Sequence, residues 1–382
     1  MLSHIASVRM VVALTVAFLG FRAGSIAEFG CATKTSWPMF RGNPSLSGVT
    51  PAAFPEKPVL KWAFEIGEPI KSSAAIDSGV VYIGADNGVL YAVDLLFGKE
   101  KWRQETDGPI ESSPLVLGGT VYVGSGDGYL YAFSRSSGEP KWKYETEDQI
   151  LGAPNWVKSP DGSAVWILAG SYDYFLHCVD SETGKLVWKY ESGNYINGAP
   201  AVSEGKTVFG GCDALLHVIS LADGSKVKEV EAGAYIAGSV AMDGSRVYVG
   251  HYESEFICVD LDEAELKWRF RDRNFPYYSS PAVTKEWVVF GGRDRRLHCV
   301  NRETGEKRWS FTTRGKVDSS AVISGNKVVV GSDDGRLYIV SLDEGKELWS
   351  YEIGEPITAS PAVIDRWVIV GSEDGSVYAF GK

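Results

Sequence analysis

The sequence predicts an all-β protein, an eight-bladed β-propeller with four antiparallel strands per blade. Three observations carry this reading. An eleven-residue window recurs eight times: GADNGVLYAVD from Gly84, GSGDGYLYAFS from Gly124, GSYDYFLHCVD from Gly170, GGCDALLHVIS from Gly210, GHYESEFICVD from Gly250, GGRDRRLHCVN from Gly291, GSDDGRLYIVS from Gly331 and GSEDGSVYAFG from Gly371, at steps of 40, 46, 40, 40, 41, 40 and 40 residues. A second series keeps the same period: Trp62, Trp102, Trp142, Trp188, Lys228, Trp268, Trp309 and Trp349. Within each unit, β-branched runs are separated by Asp-Gly or an equivalent pair, and no helical periodicity interrupts them. Asp-Gly between two such runs marks a hairpin, because both central residues of a type I′ turn need positive φ. A period near 40 with four strands per unit is the propeller pattern.

In chain order, the elements read as follows. Val11–Phe21 is an eleven-residue apolar run, and Ser25-Ile26-Ala27 supplies small residues for a cut. The run is too short to span a bilayer, so residues 1–27 read as a secretory signal and the protein as periplasmic or secreted. Lipid anchoring through Cys31 is disfavoured, since Glu28 stands where a lipobox wants Leu. Residues 28–57 form an N-terminal extension and 58–382 the propeller. Each unit starts with a small-residue inner strand (IKSSAAID at Ile70), followed by a β-branched strand (VVYIG at Val80), an alternating strand (LYAVD at Leu90) and the Trp strand. Trp62 precedes the first complete set, whereas the chain stops after SVYAF, Ser376–Phe380. Val59–Phe64 is therefore expected to complete the last blade as its outer strand, leaving no open edge. The insertion in the third unit falls at Ser159-Pro160-Asp161-Gly162-Ser163, that in the sixth within Arg271–Tyr277.

Composition narrows the function. Among 382 residues, 38 Lys and Arg face 49 Asp and Glu, a net charge of −11, which argues against a nucleic-acid binder. Five cysteines without paired spacing do not form a disulfide framework. Cys178, Cys258 and Cys299 share the small buried position of Ala92 and read as core thiols. Seven Trp at one repeat position (Trp62, Trp102, Trp142, Trp188, Trp268, Trp309, Trp349) read as blade-to-blade docking residues, because a cofactor floor could not use seven ring-distributed copies. The recurring acid of the turn after the second strand, such as Asp127 or Asp374, is a turn former, since calcium would need six or more oxygens converging on one point. His177, His217 and His298 occupy the position of Tyr91 and Tyr131 and form no metal triad. No catalytic residue and no metal site are expected.

The repeat breaks down on one half of one face. Units 1, 2, 7 and 8 end this turn in Gly88, Gly128, Gly335 and Gly375, whereas units 3 to 6 do not. The loops between blades in the same half are also distinctive. Tyr172, Tyr174, Tyr195, Tyr235, His251, Tyr252, Arg273, Tyr278, Arg293 and Arg295 gather there. Tyr and Arg are the composition of binding hot spots, so this half-face is the expected partner surface, with solvated repeat decay as the plain alternative.

AVDLLFGKEKW, CVDSETGKLVW and CVNRETGEKRW resemble the A-x-D-x-x-T-G-K-x-x-W repeat of pyrroloquinoline quinone (PQQ)-type propellers. Trp37-Pro38-Met39-Phe40-Arg41-Gly42-Asn43 resembles the W-x-x-F-R-G lead-in of exported PQQ-repeat proteins. Unit 4 departs from the repeat, having no Trp, and unit 5 has Ala264 in place of the Gly. The resemblance implies the fold and leaves two activities. Quinoprotein dehydrogenases of this family bind PQQ and calcium under an adjacent Cys-Cys pair, which this chain lacks, whereas the BamB-like members are non-catalytic outer-membrane assembly propellers. The expectation is thus a monomeric, non-catalytic scaffold without cofactor that binds another envelope protein. A PQQ-dependent oxidoreductase and a polysaccharide-binding propeller are the alternatives.

Overall fold

The computed structural model describes residues 32–382, so the signal segment and Cys31 lie outside the described residues. Eight sheets, one per repeat, each contain four antiparallel strands, consecutive in blades 1 to 7, as in Ala75–Asp77, Val80–Gly84, Val89–Asp94 and Glu100–Glu105 of blade 1. The first strand of each blade meets that of its neighbour around the axis, so strand order runs from centre to rim. Second strands are buried on both faces, which is why they read as continuous Val and Ile runs; third strands, expected to alternate, are buried on both faces as well. Outer strands alternate, as in Leu186–Glu191. Val59–Glu65 pairs with Ser376–Gly381 and completes blade 8, with Trp62 opposite Ala379.

Every blade has a β-bulge between its third and outer strands, immediately beside the docking position. The extra residue turns the Trp toward the neighbouring blade. Six of the Trp lie opposite Ala or Cys across the ladder, among them Cys178 opposite Trp188 and Cys299 opposite Trp309. The thiols are thus small core residues that make room for indoles. Burial pushes the Cys258 and Cys299 thiols up to about 12, which leaves them unreactive.

Docking has a second component. The Trp62, Trp102, Trp142, Trp268 and Trp309 indoles donate to the carbonyls of Leu95, Arg135, Ser181, Arg302 and Leu342 in the next blade. Each ring also lies on the left-handed glycine of that blade's turn between third and outer strands. A Cβ on Gly184 (φ +67°) would meet Trp142 at 2.6 Å. The two departures from the repeat fall at one joint. Lys228 stands in place of the Trp and donates through Nζ to Leu261 O, and the turn it faces carries Ala264 at φ 55°. With a slim side chain in place of an indole, the turn has room for a Cβ. Lys228→Trp alone should therefore destabilise by about 1–3 kcal/mol through overpacking. The further change Ala264→Gly should recover that loss, a coupling readable from four urea unfolding curves.

The extension is more than a lead-in. It runs around one face of the disc and reaches all eight blades. Trp37 exchanges backbone bonds with Ile76, and Pro38 O accepts from Val116 N. Pro44 O accepts from Asn155 Nδ2 and Val202 N. Ser45, Ser47, Gly48 and Ala53 carbonyls accept from Met242, Val283, Ile323 and Arg366. Arg41 points inward at the axis, fully buried, and donates to Pro281 O at 2.8 Å, Ser320 O at 3.0 Å and Ala321 O at 2.6 Å. Gly42 (φ +81°) is required because a Cβ would lie 2.7 Å from the Trp37 ring. This accounts for the Trp, Arg and Gly of the lead-in.

Candidate functional site

On the face opposite this strap, the loops between blades and the turns after the second strands surround the axial channel. One residue per blade forms the mouth: Lys71, Glu111, Leu151, Asn197, Ala237, Tyr278, Asp318 and Thr358. Below it the wall is Ser, Ala and Gly, and the floor is Phe40 of the strap. The inner strands are stitched blade to blade, Ser239 N to Ser280 Oγ, Ser280 N to Ser320 Oγ, Ser320 N to Ser360 Oγ and Ser360 N to Ser73 Oγ. The stitch fails where Ala153 and Ala199 replace Ser.

The mouth is charged but internally paired. Lys71 bridges Asp86 (3.0 Å) and Glu111 (2.9 Å). Burial opposes its charge, yet the two carboxylates more than offset this and hold it above the ordinary lysine range. Arg293 makes a bidentate pair with Asp318 (3.1 and 2.8 Å) and lies 3.9 Å over the Tyr278 ring.

The structure brings the sequence-predicted residues into two adjoining groups. Tyr172 and Tyr174 flank Tyr195 at 4.8 and 5.2 Å, and Tyr252 packs on Tyr278 at 5.7 Å. A cavity of about 680 Å³ lined by Tyr172, Tyr235, Tyr252, Tyr278 and Arg293 joins them. A second, of about 620 Å³, lies between Tyr252, Arg273, Phe275, Arg293 and Arg295. Tyr235 and Tyr252 are more than half exposed, at 57% and 55%. His251 is a correction. It is buried beneath its turn, where Nδ1 accepts from Glu253 N, whereas its neighbours Tyr252 and Glu253 reach the surface. Chain reversal inside a four-residue turn defeats simple alternation.

Several contributors were not singled out from the sequence. Lys71, Glu111, Asn197 and Asp318 become visible only when the eight mouth positions are aligned, since their types differ from blade to blade. Phe275, exposed at 47%, lies in the loop lengthened by the sixth unit's insertion.

The turn acids behave as expected of turn formers, with a second duty. Asp127 Oδ1 accepts from Tyr129 N within its own turn, while Oδ2 accepts from Asp107 N of the loop that enters the same blade and from Tyr131 OH. His177, His217 and His298 replace that Tyr and bond the same acid at 2.9, 2.7 and 3.0 Å. Asp272, Asp294 and His298 also bring ligand atoms within 4.8 Å of one another, but Arg296 and Lys307 engage Asp272.

Blades 3 to 6 differ in backbone strain. Tyr174 (φ 76°), Ala214 (φ 65°), Ser254 (φ 64°) and Arg295 (φ 64°) stand at the left-handed position that Gly88, Gly128, Gly335 and Gly375 fill elsewhere. Such a residue costs about 1–2 kcal/mol over glycine.

A quinone of the PQQ type is a rigid tricarboxylate, and the channel below the mouth is small for it, whereas the cavity of about 680 Å³ at the mouth opens onto Lys71 and Arg293. The channel encloses about 180 Å³, below the roughly 300 Å³ at which small-molecule pockets begin. No cation lines its wall, and both cations of the mouth are engaged by carboxylates.

The chain matches the family described as outer membrane protein assembly factor BamB over residues 59–165, 159–233, 215–311 and 293–382. No curated protein matches it. Among solved structures, BamB from Moraxella catarrhalis superposes with a TM-score of 0.70 at 17% identity, covering 85% of this chain and 100% of that one. Quinohemoprotein alcohol dehydrogenase from Comamonas testosteroni gives 0.79 at 14%, covering 93% and 82%. The computationally designed Ika8 protein gives 0.75 at 17%, covering 85% and 99%. These likenesses establish the eight-bladed architecture and do not choose between binding and redox chemistry. The four overlapping repeat matches, together spanning residues 59–382, identify the chain as a member of the BamB-type family of PQQ-repeat propellers.

Proposed function

We propose that this chain is an exported, non-catalytic scaffold of the cell envelope that binds a protein partner through the aromatic half of the channel-mouth face. One observation carries the reading. Four consecutive blades hold non-glycine residues in left-handed turns, on the same half-face where Tyr172, Tyr195, Tyr235, Tyr252 and Arg293 gather. Strain retained at a surface that glycine would relieve, as it does in the other four blades, is support for a function there. Exposed Tyr with partly buried Arg beside cavities is the anatomy of an interface anchor. The family description supports an envelope setting. The signal expected at residues 1–27 supports export.

The test separates stability from binding. Tyr174→Gly with Arg295→Gly should raise stability by about 1–2 kcal/mol per site by relieving the turns. The same variant, and Tyr195→Ala with Tyr235→Ala and Tyr252→Ala, should lose the partner crosslinked from envelope extract, by tenfold or more given about 1.4 kcal/mol per decade. Full capture by both variants overturns the reading. Dye reduction on adding PQQ and calcium would establish the redox alternative, and retention on a glycan array the polysaccharide one.

A further inference from the structure

The turn between third and outer strands has a two-residue tip in blades 1 to 7. In six of them that tip carries Ser, Thr, Asp or Glu, as in Ser136-Ser137. Blade 1 instead presents Leu96 and Phe97, exposed at 63% and 70%, the highest values among large apolar side chains of the described residues. The tip lies on the strap side of the disc, since Leu95 N donates to Gly79 O of the neighbouring turn. It is continuous with more exposed apolar surface. Gly98 packs on Trp62, and Val59 and Leu60 of that same strand are exposed at 54% and 37%. Leu96 also borders a cavity of about 450 Å³ with Arg366, Trp367 and Lys382.

The charge around this patch runs against that of the molecule. Lys57, Lys61, Lys99, Arg366 and Lys382 are exposed around it, and none is in an ion pair among the described residues. In the described segments 56–61, 96–100 and 365–367 that carry them, the exposed acids are Glu56 and Glu100, in a chain of net −11. Apolar tips ringed by unpaired cations match the interface of an anionic bilayer, where apolar side chains enter the acyl boundary and cations meet phosphates. The described chain also starts here: Asp365 N, next to Arg366, donates to Lys34 O.

We propose that the strap face docks reversibly on anionic phospholipid membrane through Leu96 and Phe97, with Lys61 and Arg366 contacting headgroup phosphates. The channel-mouth face then points away from the bilayer. The experiment is flotation of residues 32–382 with phosphatidylcholine vesicles, with and without phosphatidylglycerol. The protein should float with the phosphatidylglycerol vesicles and be released by salt. Leu96→Ser with Phe97→Ser, the pair blade 2 already carries, should keep the wild-type melting curve and lose binding by about tenfold or more, given the apolar area removed. Lys61→Glu with Arg366→Glu should lose the phosphatidylglycerol dependence. Quenching of Trp fluorescence by brominated lipid should accompany binding in the wild type alone. Wild-type protein that stays in solution, or a Ser-Ser variant that floats undiminished, overturns the proposal. In the first case an acidic protein would be the remaining occupant.

Discussion

Arg41→Ala should lower the stability of residues 32–382 by about 3 kcal/mol, because one fully buried guanidinium ties three blade carbonyls to the strap. Hydrogen bonds from a charged donor contribute about 1.5–3 kcal/mol each. Their sum is offset in part by the desolvation of a charge that has no carboxylate partner among the described residues, and this same burial pushes the Arg41 pKa down to about 9. It remains protonated at neutral pH. Removal leaves the carbonyls of Pro281, Ser320 and Ala321 facing a void, and it loosens Gly48, which packs against the guanidinium. Arg41→Lys should restore little of the loss, since a single ammonium cannot span three acceptors held by a planar fork. Urea unfolding reads the difference, and limited proteolysis should cut the strap of the Ala variant first. A variant within about 0.5 kcal/mol of wild type would show that the strap holds without its arginine.

Gly184→Ala should cost about as much by a different route. The backbone term, an L-residue at φ +67°, is about 1–2 kcal/mol. The steric term arises because the new Cβ would lie 2.6 Å from the Trp142 ring, so the indole must leave its place between blades 2 and 3. Overpacking of this kind adds about 1–3 kcal/mol. Gly205→Ala separates the two terms: its φ is +74°, yet nothing lies within 4 Å of the added carbon. It should cost only the backbone share. Equal losses at both positions, by thermal unfolding, would mean that the ring-on-glycine contact contributes nothing to docking.

The contrast between the blades and the strap shows what a single sequence can reveal. The blades were legible because one local solution, a glycine turn under an indole from the previous unit, is written seven times with small errors. Even the errors are informative, since Lys228 and Ala264 are spaced as the two halves of one joint. The strap has no such redundancy. Trp37, Met39, Arg41 and Leu46 are buried only because eight separate blades surround them, and no period in residues 32–57 announces this. The aromatic half-face lay between these cases. Loss of the turn glycines pointed to blades 3 to 6, but the direction of each side chain depends on the path of a tight turn. That path turns Tyr252 outward and His251 inward.

The strap also dictates an order of assembly. Residues 37–53 make bonds to Ile76 and to every blade through Arg366, and Val59–Glu65 waits for Ser376–Gly381. None of these acceptor sites exists as a set until the whole chain is available. Segments close to the N-terminus are therefore the last to find their places, and loop-closure entropy must be overcome across nearly the full length before they do. Until then the axis is an open bore; the protein becomes a closed cup only in its final step.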